Sequence, residues 1–195
     1  MMFIVGRLIG RIDSRLIIGA GLLVTAVSLY EMSGFTPDVS SAAIVRTGFM
    51  QGLGFGLIFV PLSTVTFATL PPASRTEATA LFSLMRNLGS SIGISIVVSL
   101  LSSNTQVNHA SIAAYVTPFN HQIAAPGVAE HWDVHTAAGQ AALNAVVTEQ
   151  AAIIAYADDY RLMMFMTLAT LPMLLLMRRP GRAVGGAPAH AAVAD

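Results

Sequence analysis

Arg86 and Asn87 stand inside "ALFSLMRNLGSSIG", a stretch that is otherwise apolar or small. A guanidinium is always charged and carries five donors in a fixed fork. If the helix starts near Thr76, Arg86 is about ten residues in, or ~15 Å along the axis. At that depth in a bilayer an arginine costs at least ~2.5 kcal/mol on insertion scales. Something must offset this: a carboxylate, backbone carbonyls or water in a cavity. Two readings stand side by side. Arg86 lines a transport pathway or gating network, or it is structural, bonding carbonyls at a helix break or snorkelling to the inner surface. Glu77 is nine positions earlier, on roughly the opposite helix face, so a partner would come from a helix outside this chain. Asn87 offers a hydrogen bond across helices.

A second polar cluster is "EHWDVH", with Glu130, His131, Asp133 and His135. Two histidines four apart share a face only on a helix, where they could hold a metal. Nothing marks this stretch as helical, and Trp132 suits a membrane interface. No metal or cofactor is therefore expected. His109, His121 and His190 are isolated. There is no nucleophile elbow, phosphate loop or His-Glu-x-x-His, so no enzyme is predicted. With no cysteine, disulfides and thiol chemistry are excluded.

The elements that carry these residues follow from composition. Of 195 residues 54% are hydrophobic and only 10% charged, against about 25% charged in soluble domains. Mean hydropathy is +0.68. The expected partner is a lipid bilayer, and the fold class is all-α transmembrane with four spanning helices. The formal net charge of +0 gives no field that would draw nucleic acid. The spans fall at about 16–32, 42–70, 78–102 and 160–177, with an outer loop at about 103–159. Within that loop, residues 139–159 have helical composition and lead into the last span. Residues 178–195 read as a disordered cytoplasmic tail. "MMFIVGRLIGR" is no secretory signal, and its apolar part is far short of the ~20 residues that span. It reads as the end of a helix that begins outside the chain, the first hint of a fragment.

Orientation follows from arginine, which supplies all ten basic residues. Placing Arg7, Arg11 and Arg15 inside also puts Arg75 inside, with Arg178, Arg179 and Arg182. No arginine lies between Ser103 and Tyr160. That asymmetry predicts a cytoplasmic C-terminus. Arg46 and Glu31, near the outer ends of two spans, are placed to pair across the Gly34–Ser41 turn.

Small residues recur at four-residue spacing: Gly48, Gly52 and Gly56 on the second span, Gly89 and Gly93 on the third. Gly54 interrupts the first set, and Ser91, Ser95 and Ser99 continue the second. Such spacing lets membrane helices approach closely, so these glycines are expected to pack helices. Pro61 and Pro172 mark expected kinks.

"GLGFGLIFVPLSTVTFAT" (52–69) followed by "LPPASRTEATALFSLMRNLGSSIG" (70–93) resembles late helices of the major facilitator superfamily. The match is to its fourteen-helix drug:proton antiporters of the EmrB/QacA type. "GRLIGRIDSR" (6–15) is similar to that superfamily's inner-loop motif, Gly-x-Leu-x-Asp-Arg-x-Gly-Arg-Arg. Gly6, Leu8, Arg11 and Arg15 match it. Gly10 stands where the motif has Asp, and Asp13 where it has Gly, so the acidic charge relay does not carry over in place. The resemblance covers the end of helix ten, helices eleven to fourteen, a long last outer loop and an inner C-terminus.

The resemblance implies two pseudo-symmetric halves rocking around a central cavity. It implies export of hydrophobic or cationic drugs across a bacterial inner membrane, driven by protons. The coupling acids of such proteins lie mainly on early helices, which this chain does not hold. The missing N-terminal helices are then partners of the chain. Arg86 and Asn87 belong to an Arg-Asn-x-Gly signature in helix thirteen, peripheral to the cavity. That favours a structural Arg86, supporting a bent or water-exposed inner half of the helix. The alternative is a small four-helix membrane accessory subunit with no transport activity alone. An upstream reading frame that continues without a stop would favour the fragment.

Overall fold

The computed structural model describes residues 13–68, 70–117, 120, 132 and 135–176. Every regular element among them is helical. They are α1 (Ser14–Met32), α2 (Ser41–Ala68), a 3₁₀ turn (Pro72–Ser74), α3 (Arg75–Ala113), α4 (Ala137–Ala169) and α5 (Leu171–Leu176). Three of them are long and apolar enough to cross a membrane: Ser14–Met32, Ser41–Phe67 and Arg75–Ala113. Gly6, Leu8 and Arg11 of the inner-loop motif lie outside the described residues, as do Glu130, His131, Asp133 and the tail.

Asp13 caps α1. Its carboxylate accepts from the Arg15 backbone N–H at 3.4 Å, one of the donors that a helix start leaves without a partner. Arg15 follows on the first turn, with its Nε buried and without a hydrogen-bond partner. At the other end of the hairpin, Arg46 meets Glu31 at 2.9 Å, as their placement at two span ends predicts.

The helices pack in the order α2–α1–α4–α3, with α5 also against α1. The α1–α2 contact is the tightest. A Cβ built on Gly21 would lie 2.8 Å from the Gly54 carbonyl oxygen, and one on Gly54 would lie 2.9 Å from the Gly21 carbonyl oxygen and collide with Thr25 Oγ1. Only two glycines let the backbones come this near. Two turns along the same seam, the buried Ser28 hydroxyl donates to the Thr47 carbonyl at 2.9 Å.

The glycines expected to pack do not do so within this chain. Around a Cβ at Gly48, Gly52, Gly56, Gly89 or Gly93 nothing lies within 4 Å. The physical reason is the packing order. The faces of α2 and α3 that carry these glycines turn away from α1 and α4, and α2 and α3 scarcely touch each other.

The expected outer loop is largely helix. α3 has 39 residues and continues eleven beyond the expected end at 102. At 1.5 Å per residue it is about 58 Å long, against ~30 Å of bilayer core. α4 begins at Ala137, where the Thr136 hydroxyl accepts from the Gly139 N–H at 3.1 Å. His109 and Asn144 hydrogen-bond at 3.0 Å between the two helices. The extensions thus form a helical hairpin past the expected membrane boundary. The span expected at 160–177 is not one helix. α4 stops at Ala169, Thr170 turns, and α5 follows. Pro172 has no N–H for the carbonyl of Leu168, and its ring clashes there.

Candidate functional site

α2 and α3 are joined by a short turn. There Phe67 and Phe82 meet edge to face, their ring centres 5.7 Å apart. Beyond that contact the helices diverge and enclose a cleft of about 700 Å³. α2 contributes Phe55, Ile58, Phe59 and Leu62. These are spaced i, i+3, i+4, i+7 and so share one helix face. α3 answers with Phe82, Met85 and Arg86, then Asn87 and Ser90 at the polar edge. Phe55 and Phe59 stack at 5.8 Å.

Arg86 is the one basic group of the cleft. It is eleven residues into α3, about 16 Å from the helix start. Its Cζ lies 5.9 Å from the centre of the Phe59 ring. A cation within ~6 Å of an aromatic face is drawn to the ring quadrupole. Among the described residues Arg86 makes no ion pair; the two recorded pairs are Arg46–Glu31 and Arg161–Asp158. The aromatic face therefore supplies part of the compensation, and no carboxylate among the described residues pairs with Arg86. Asn87, beside it, also lines the cleft, while its carbonyl accepts from the Ser90 hydroxyl at 3.0 Å.

This surface can hold an apolar body against three phenylalanines and a methionine, with one positive charge at its edge. It has no nucleophile and base in contact, and no acid. Arg86 and Asn87 are the sequence-predicted residues that the structure places here. Asp13 and Arg15 sit at the start of α1, on a separate element, and Gly48, Gly52, Gly56, Gly89 and Gly93 face open space. Phe55, Phe59, Phe82 and Met85 escaped sequence reasoning. The available signal was the pair of aromatics four apart, Phe55 and Phe59, three and seven positions after Gly52. Gly21 escaped too, although Gly21 and Thr25 are themselves a small pair four apart.

The Major Facilitator Superfamily model matches residues 1–116 of the chain. The chain is 25% identical over 190 residues to the fatty acid resistance protein FarB of Neisseria gonorrhoeae, covering 94% of this chain and 36% of that protein. It is 31% identical over 118 residues to the multidrug export protein EmrB of Escherichia coli K12, covering 60% and 23%. It is 33% identical over 100 residues to the multidrug resistance protein Stp of Mycobacterium tuberculosis H37Rv, covering 51% and 18%. The chain thus spans about a third or less of the length of these relatives. No solved structure matches it.

Proposed function

Because this chain belongs to the Major Facilitator Superfamily, a family of transporters and not enzymes, we propose that it is the C-terminal part of a proton-coupled multidrug efflux transporter. The observation that carries this reading is the meeting, on one chain, of the family match and an apolar, aromatic cleft of drug size. Ligand pockets are typically ~300–1,000 Å³ and mostly apolar with few polar groups. The names of the relatives support export of hydrophobic compounds. Arg86 is the cleft's own charge, so the cleft favours neutral or acidic hydrophobic bodies. A cationic drug would need an acid from another helix.

The remaining helices of the transporter are the partners that cover the open faces of α2 and α3. Gly48, Gly52, Gly56, Gly89 and Gly93 are then seats for those helices. The inner-loop residues Gly6, Leu8, Arg11, Asp13 and Arg15 belong to the cytoplasmic face, in a bacterial inner membrane with the C-terminus inside. The asymmetry of arginine supports that orientation.

The test is dye efflux from proteoliposomes under an imposed proton gradient. A transporter containing these helices should export, and Phe59→Ala should lower its rate. The 195-residue chain alone should not transport, since it lacks alternating access. Gradient-driven efflux by the chain alone would overturn the reading as a part. No gradient-dependent efflux by the longer transporter would overturn the reading as a drug antiporter.

A further inference from the structure

Gly139, Leu143, Val147, Ala151, Ala155 and Asp159 are the buried residues of α4. They recur every four positions and form one row on the side that packs against α3 and α1. Five of the six are apolar or small. Ala151 and Ala155 are fully buried, which brings the neighbouring helices close. The sixth is an acid, one residue before the expected fourth span. Asp159 is 3% exposed, and neither carboxylate oxygen has a hydrogen-bond partner.

The surrounding charges are engaged elsewhere. Asp158, its neighbour, pairs with Arg161 at 3.5 Å. On α1, Glu31 pairs with Arg46, and Asp13 and Arg15 are at the opposite end of the helix. On α3, His109 bonds Asn144, Arg86 lies over Phe59, and Arg75 and Glu77 are on the first turn. α5 has no charged residue. Among the described residues no cation comes within 4 Å of Asp159. An ionised carboxylate without donors or cations is disfavoured, so the group holds a proton more readily than an ordinary aspartate.

We propose that Asp159 is a proton-binding site of the seam between α4 and its neighbours α1 and α3. Its carboxyl keeps a proton to higher pH than an ordinary aspartate does, and the proton leaves to water when the seam opens. This does not depend on what the α2–α3 cleft carries. Burial, and secondly the Asp158 charge, raise the Asp159 carboxyl above the ordinary carboxylate value. The folded seam therefore binds the proton more tightly than the unfolded chain does. By linkage, the stability Asp159 contributes is full below the ordinary carboxylate range and falls as pH rises through the raised value.

The experiment is infrared spectroscopy of the 195-residue chain in lipid, with the aspartate carboxyls labelled with carbon-13. A protonated-carboxyl band carrying the isotope shift should persist above the ordinary carboxylate range. It should vanish in Asp159→Asn and survive in Asp158→Asn. Should Asp159→Asn fail to fold, Asp159→Glu gives the same decision: the shifted band is replaced by an unshifted one. Loss of the band within the ordinary carboxylate range in the parent chain, or its survival above that range in either Asp159 variant, overturns the proposal.

Coupling to the seam has its own readout. The chain has no cysteine, so spin labels at Tyr30→Cys and Tyr156→Cys report the α1–α4 distance without background. The distance distribution should broaden as pH rises, and Asp159→Asn should remove that dependence. A pH dependence unchanged in Asp159→Asn would overturn the link between proton and seam.

Discussion

The guanidinium of Arg86 on α3 and the ring of Phe59 on α2 face each other across a cleft, with 5.9 Å between Cζ and the ring centre. The two helices otherwise hardly meet beyond the turn that joins them. The pair therefore bridges the cleft at the level where α3 carries its charge.

That bridge is measurable by a double-mutant cycle with Phe59→Ala and Arg86→Met. We expect a coupling of about 0.5–1 kcal/mol, the range for exposed cation–π pairs. The readout is unfolding of the chain in detergent. Additive effects of the two substitutions would show that the contact contributes nothing.

Gly54 fixes the α1–α2 distance. Gly54→Leu should destabilise the chain by about 3 kcal/mol, the upper end for an overpacked site, because its Cβ meets the Gly21 carbonyl and Thr25. Gly56→Leu, two residues on, has open space and should show no loss. Equal effects at both positions would refute the close-approach account.

Ser28→Ala removes the donor to the Thr47 carbonyl in the same seam. Hydrogen bonds between membrane helices average about 0.6 kcal/mol by double-mutant cycles, so the expected loss is of that size. Glu31→Gln at the exposed Arg46 pair should change stability by less than about 1 kcal/mol. Denaturant titration of both variants ranks the two contacts.

The helical class was legible in the sequence, because long apolar runs admit few other structures in lipid. The partnership of Glu31 and Arg46 was legible from their positions at two span ends. Other features were hidden for identifiable reasons. Residues 103–113 are polar, so hydropathy ended α3 too soon; their helix is held against α4, as at His109 and Asn144. Glycine spacing says that a helix can be approached, but not by which neighbour. Gly21 and Gly54 touch, whereas Gly52 and Gly56 do not. Asp159 ends the segment 139–159 that reads as helical, and composition does not distinguish it from Asp158. Only the four-residue row on α4 places it inside and its neighbour outside.

α3 is one uninterrupted rod about 58 Å long, without proline, that begins directly after the Pro72–Ser74 turn. Such a rod is a lever. A tilt of about 5° at that turn moves its far tip by roughly 5 Å, since the tip lies the full helix length away. α4 is fastened to the far arm of α3 through His109 and Asn144 and would be dragged with it. A small change of angle at the Pro72–Ser74 turn thus reaches the far end of α3 as a displacement the size of a side chain.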